Sequence, residues 1–209
     1  MKVDVLAIAA HPDDVEITCG GTMIKLAENG RKTGILDLTQ GEMGTLGNAE
    51  DRRRESEKAA EILKVTVREN LGLPDSVFEV NQNNIEKLAS VIRRFCPDIV
   101  ILPHKNNQRH PDHRKTAILG YDACFLAGLA KADLEGEPHR PMKILYASSF
   151  MKVEHSFFVD ISGQFERKKE AVAAYSSQFD GSEQSRQIFR PGNDIFELME
   201  VYHRQYGIE

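Results

Sequence analysis

Cysteine is scarce in this chain and badly placed for cross-links: Cys19, Cys96 and Cys124 are its three cysteines, far apart and without a C-x-x-C pair. That excludes a disulfide scaffold and a cysteine-built zinc knuckle, and it predicts small core thiols in a reducing compartment. No run of 18 apolar residues occurs, and Met1-Lys2 leads into a segment holding Asp4 without an apolar leader. A transmembrane helix and a signal peptide are therefore not expected, so the protein is read as cytoplasmic, with no membrane partner. Basic residues are the minority charge, 27 Lys and Arg against 32 Asp and Glu, for a formal net charge of -5. Nucleic-acid binding needs a clustered basic excess, so nucleic acid is not expected as a partner. The glycine signatures of nucleotide enzymes are missing too. Residues 41–47, GEMGTLG, space their glycines G-x-x-G-x-x-G, which fails the dinucleotide fingerprint, and no GxxxxGK[ST] phosphate loop occurs.

What is present is an ordinary globular composition, 41% hydrophobic and 28% charged over 209 residues, enough for one domain spanning 1–209. Residues 3–9, VDVLAIA, form a nearly unbroken apolar run of the kind found in a central parallel strand. Further strands are predicted over 34–39, 65–71, 98–103 and 143–150, and another over 157–161. Helical spacing is predicted over 22–29, 50–63, 83–95, 113–130, 165–179 and 195–206. A polar, proline-bearing mobile surface loop is expected over 133–141. The strand-helix alternation predicts an α/β fold: Rossmann-like, with a mostly parallel sheet and helices on both faces. In the doubly wound order the first and fourth strands are neighbours, so the loops after Ala9 and Pro103 should face each other.

Those two loops carry the chemistry. The first reads His11-Pro12-Asp13-Asp14 and the second His110-Pro111-Asp112-His113. Either one alone could be a helix-capping turn. Together, at the ends of adjacent strands, they predict one metal centre. A catalytic zinc takes three protein ligands and keeps a position open for water. His11, one of Asp13 and Asp14, and one of His110 and His113 would make such a set; the spare aspartate and histidine would be the base and the acid of a metal-assisted hydrolysis. Sequence alone does not say which aspartate is the ligand; His11 and Asp14 are three residues apart, as are His110 and His113, and the later residue of each pair lies near a predicted helix start. Iron or manganese would suit the same two-His, one-carboxylate set. Arg52-Arg53-Arg54 reads as a solvated helix face, and Glu16 as an acid favoured by a helix N-terminus.

With both motifs in hand, the chain resembles the LmbE-like (PIG-L) family of zinc-dependent N-acetylglucosaminyl deacetylases. AHPDDVE, CGGT, DLTQGEMGT, NLGLPD, RHPDH and FFVDIS follow the order of its bacillithiol biosynthesis branch, whose members remove acetate from N-acetylglucosaminyl malate. The resemblance implies one Zn2+ per chain held by His11, Asp14 and His113. It implies Asp13 as the base, His110 as the acid and oxyanion-stabilising group, and Asp112 as the residue that orients His110. Arg52 would bind the anionic or sugar end of a small amino-sugar substrate and Glu42 would reach sugar hydroxyls. Gln108 stands where some relatives carry a tyrosine, and a tail longer than the one after Tyr206-Gly207 is expected of this branch. A homo-oligomer, trimer or hexamer, is implied as well. An amidase of sugar-thiol conjugates, a deacetylase of another amino sugar and a non-enzymatic nucleotide-binding module are the alternatives.

Overall fold

A computed structural model describes residues 1–106, 110–148, 150, 153–180, 182 and 194–207. The elements run β1 Val5–Ala9, α1 Asp14–Glu28, β2 Thr33–Thr39, α2 Ala49–Leu63, β3 Val67–Leu73, α3 Gln82–Phe95, β4 Ile99–Pro103, α4 Pro111–Ala127 and β5 Lys143–Ala147. A short 3-10 turn, Ser162–Gln164, then leads into α5 Phe165–Ala173, and α6 Ile195–Gly207 follows. The five strands lie in the order β3-β2-β1-β4-β5, every pair parallel. This is the expected α/β sheet, with the first and fourth strands adjacent.

Both faces of the sheet are covered, which is why β1 is buried at every residue. Side chains alternate across a strand. Leu6 and Ile8 accordingly join a core under α3 and α4, built with Leu88, Ile92, Leu119 and Ala123. Val5, Ala7 and Ala9 join the opposite core with Met23 and Ile24 of α1, Leu63 of α2 and Ala171 of α5. A third, outer layer comes from α6, whose Ile195 and Met199 pack on Ile17 and Val172. Cys19 and Cys124 are buried free thiols and Cys96 is a partly buried one. No described helix is long and apolar enough to cross a membrane.

Three elements differ most from the sequence expectation, beyond shifts of two or three residues at the ends of β3 and β5. Helix α1 starts at Asp14 rather than at residue 22, so Cys19-Gly20-Gly21 lies inside it. Gly21 has a packing reason: a Cβ there would sit 2.4 Å from Ile161 Cδ1, so only glycine lets residue 161 lie against the helix. The strand expected at 157–161 is no strand. That segment crosses α1, where Lys25 Nζ donates to the Asp160 carbonyl at 2.5 Å. The helix expected to reach residue 179 ends at Ala173, and Glu55 draws the following chain into a turn. Its carboxylate accepts from Ser177 N at 2.6 Å and Ser177 Oγ at 2.7 Å. The 133–141 loop carries an anchor: the buried Arg93 donates to the carbonyls of Leu134 at 2.9 Å and Gly136 at 3.0 Å.

Candidate metal-dependent active site

Ala7 of β1 pairs with Ile101 of β4, so the two strands end side by side and their loops meet at the carboxyl edge of the sheet. The HPDD loop turns sharply from β1 into α1. Asp13 is the helix N-cap with φ 115°, a left-handed conformation that costs a non-glycine residue about 1–3 kcal/mol and must be imposed by its surroundings. Its side chain makes no cap bond. Arg52 of α2 holds it instead, Nη1 donating to Asp13 Oδ2 at 3.2 Å and Nη2 to the Pro12 carbonyl at 2.6 Å. The HPDH loop enters α4 by ordinary capping. Pro111 opens the helix and His110 Nδ1 accepts from Asp112 N at 3.2 Å. That bond leaves the proton of a neutral His110 on Nε2.

His11, Asp14 and His113 converge. One donor atom from each lies within 4.8 Å of the others. Asp14 Oδ1 is 3.0 Å from His113 Nε2 and Oδ2 is 3.3 Å from His11 Nδ1. Two imidazoles and one carboxylate, with room on the cavity side, fit a divalent ion of the zinc, iron or manganese type. His110 borders the set, its ring centroid 4.8 Å from that of His11 and 5.5 Å from that of His113.

The electrostatics separate the two aspartates. Burial pushes Asp13 up to about 6 against the pull of Arg52, so this carboxylate can take a proton near neutrality. Burial acts on Asp14 too, but His113 and His11 outweigh it and hold the group well below the usual carboxylate range, as suits a ligand. Burial and then the neighbouring His11 and His113 bring His110 down.

A cavity of about 580 Å³ opens over these groups. One wall is polar, with His11, Asp13, Asp14, Arg52, His110 and His113. The other is largely apolar, with Ile17, Phe150 and, from α6, Leu198, Val201 and Tyr202.

The remaining expected residues divide. Arg53 and Arg54 are solvated as expected, but Arg52 is 5% exposed and points inward, because its charge is matched by Asp13. Gly41 yields to it, since a Cβ there would lie 2.9 Å from Arg52 Nη2. Glu42 has its carboxylate engaged, accepting from Asp75 N at 2.8 Å and Gln40 N at 3.2 Å. The Asp112 carboxylate turns away from the role expected of it. It accepts from Ser76 N at 2.8 Å and Lys115 Nζ at 2.9 Å and lies 3.7 Å from His11 Nε2, while its backbone N–H is what fixes His110. Gln108 and Arg109 lie outside the described residues.

Sequence reading missed the support beneath the HPDD loop. Glu16, read as a helix-dipole acid, is fully buried and accepts from Arg68 Nη1 at 2.5 Å and Tyr175 Oη at 3.0 Å. Arg68 also grips Asp37 with two bonds, 2.8 and 3.0 Å. A lone Asp inside the apolar run GILDLT and a lone Arg in the next strand were the available signal.

Comparison with known proteins places the chain in a family. The family model for GlcNAc-PI de-N-acetylase (PIG-L) matches residues 6–124. Diacetylchitobiose deacetylase of Thermococcus kodakarensis is 34% identical over 98% of this chain and 76% of its own length. Among solved structures, the conserved protein TT1542 of Thermus thermophilus superposes with a TM-score of 0.88 at 38% identity, covering 98% of this chain and 88% of that one. The N,N'-diacetylchitobiose deacetylase of Pyrococcus horikoshii gives 0.83 at 26% identity over 98% and 79%. Because the matched region spans both strands that meet at the site and more than half of the sequence, this chain belongs to the PIG-L de-N-acetylase family.

Proposed function

We propose that the protein is a divalent-metal-dependent hydrolase that removes acetate from a soluble N-acetylglucosamine conjugate. The observation that carries this is the convergence of His11, Asp14 and His113 beside a raised Asp13 and a proton-bearing His110. His11, Asp14 and His113 would hold a divalent ion, which when bound would supply a Lewis acid for the amide carbonyl and acidify water. Asp13 receives the proton of the attacking water; its strained backbone and its bond to Arg52 keep the carboxylate aimed from the first loop. His110, held by the Asp112 N–H, presents its Nε2–H to the oxyanion and hands that proton to the departing amine as the proton taken up by Asp13 replaces it. The apolar wall from α6 gives the rest of the substrate somewhere to lie out of water.

Within this class N-acetylglucosaminyl malate is the first substrate to try, on the order of motifs along the chain. Diacetylchitobiose is the second reading, favoured by the likeness to the Thermococcus kodakarensis enzyme over almost the whole chain. Arg52 weakens the case for the malyl group, because two of its donors already serve Asp13 and Pro12.

The test is acetate release from both conjugates, before and after chelation and with Zn2+, Fe2+ or Mn2+ restored. Activity lost on chelation and regained with metal is expected, and Asp13→Asn should lower turnover by about 10²–10⁴-fold while binding metal normally. Undiminished turnover by the metal-free protein, or by Asp13→Asn, would overturn the reading. Release from a sugar-thiol conjugate alone would move the substrate and keep the chemistry.

A further inference from the structure

NLGLPD ends in a residue that the reaction outlined above does not use. Asp75 sits in the turn between β3 and α3, 5% exposed, and reaches under the first metal-site loop. Its Oδ1 lies 3.0 Å from His11 Nε2, and its Oδ2 accepts from Met43 N at 3.0 Å. The backbone N–H of Asp75 is itself tied to Glu42 at 2.8 Å. The carboxylate is thus held at Oδ2 and through its backbone, and Oδ1 faces the imidazole, with the Ser76 hydroxyl as a longer second partner at 3.4 Å.

We infer that Asp75 is the positioning residue for the metal ligand His11, accepting its Nε2–H and thereby directing the Nδ1 lone pair toward the ion shared with Asp14 and His113. A neutral imidazole has one donor and one acceptor. Asp75 takes the donor. What remains is Nδ1, the nitrogen 3.3 Å from Asp14 Oδ2, on the opposite side of the ring. A ligand whose second nitrogen is bound to a carboxylate is more basic and is held in one orientation, and losing such a partner typically weakens metal binding 10–100-fold. Asp75 also makes sense of the glycine loop, since the Met43 N–H bond ties residues 41–47 to the turn that holds His11. The inference rests on the proposed metal dependence, but it concerns this chain's own hydrogen bonds.

The measurement is zinc affinity of the purified protein by competition with a chromophoric chelator, together with the ¹H–¹⁵N spectrum of the histidine side chains of zinc-loaded protein. Asp75→Asn should bind zinc about 10–100-fold more weakly, and the His11 Nε2–H resonance seen in the unaltered protein should move. Asp75→Ala should weaken binding further and expose that proton to exchange. Glu42→Gln disturbs the backbone support of Asp75 but leaves its carboxylate in place, so its zinc affinity should stay close to that of the unaltered protein. Unchanged affinity in both Asp75 variants would overturn the inference, as would an equal loss in Glu42→Gln, which would mark a merely structural turn. An unaltered protein that binds no zinc, iron or manganese would defeat the proposed metal dependence itself, a result distinct from either.

Discussion

Two cations lie buried around α1, and they are held in opposite ways. Arg68 is surrounded by carboxylates: Asp37 takes two of its donors and Glu16 a third. Burial alone would lower it, but those anions raise it well above its ordinary value. Lys168, on α5, is 1% exposed and donates to His203 Nε2 on α6 at 3.2 Å. His203 Nδ1 gives its proton to the Met199 carbonyl at 2.6 Å, so the partner of Lys168 is a neutral ring and burial pushes the ammonium down to about 8. These two arrangements stand behind the two walls of the cavity. From Arg68 the buried polar contacts pass through Glu16 to Tyr175, whose ring stacks 5.7 Å from Arg52, and so to Asp13. The polar wall therefore rests on neutralised charge. The apolar wall of α6 meets the core through Ile195 and Met199 and, beside them, through a cation that burial penalises.

The widest separation between the two cations comes from removing the charge at each. Arg68→Met leaves Asp37 and Glu16 buried without a cation, which should cost about 3–5 kcal/mol in urea unfolding. The same variant should lose deacetylation more than stability alone dictates, because the orientation of Arg52 and Asp13 depends on the network. A cost within experimental error would break the comparison, since it would mean that the network is not what supports the HPDD loop.

Lys168→Met should act with the opposite sign. A folded-state value of about 8 against 10.5 means that, between those pH values, the unfolded chain binds the extra proton. Stability from this group therefore rises as pH climbs through that window. Near pH 7 the lysine is still charged and its burial opposes folding by up to about 3 kcal/mol. Part of that is offset by the bond to His203, which the variant loses. The variant should be the more stable protein at pH 7, and its advantage should shrink by about 2 kcal/mol by pH 9.5 as the native lysine sheds its proton. Parallel unfolding curves at the two pH values, with a constant gap, would show that Lys168 is not penalised by burial.

Much of this architecture can be read directly from the residues. The apolar runs of β1 and β4 announce buried parallel strands, and the doubly wound order places their ends together, so His11, Asp14, His110 and His113 are found without coordinates. Capping is equally local: His110-Pro111 marks the start of α4 to within two residues. What escapes is whatever depends on a partner far along the chain. Arg52, inside a run of three arginines, gives no local sign that it alone turns inward to Asp13, and α1 hides its start because one of its glycines, Gly21, serves a distant strap at Ile161. Asp75 reads as an ordinary turn residue, and only the fold places it against His11. Buried polar pairing is selected by three-dimensional neighbours, and periodicity carries no trace of them.

The smallest expected effect sharpens the contrast from the surface. Lys169, next to Lys168, forms ion pairs at 2.9 Å with Glu166 on its own helix and at 3.2 Å with Glu200 on α6. Pairs whose carboxylates still reach water gain little, because water screens them and ordering two long side chains opposes them. Lys169→Ala should leave the midpoint of urea unfolding and the KM for the conjugate unchanged. If KM rises while kcat holds, α6 is being kept over the cavity by its solvent-facing ion pairs. The seat of the apolar wall would then lie outside the core, and Lys168 with His203 would be a passive neighbour of the contact between Met199, Ile195 and Val172.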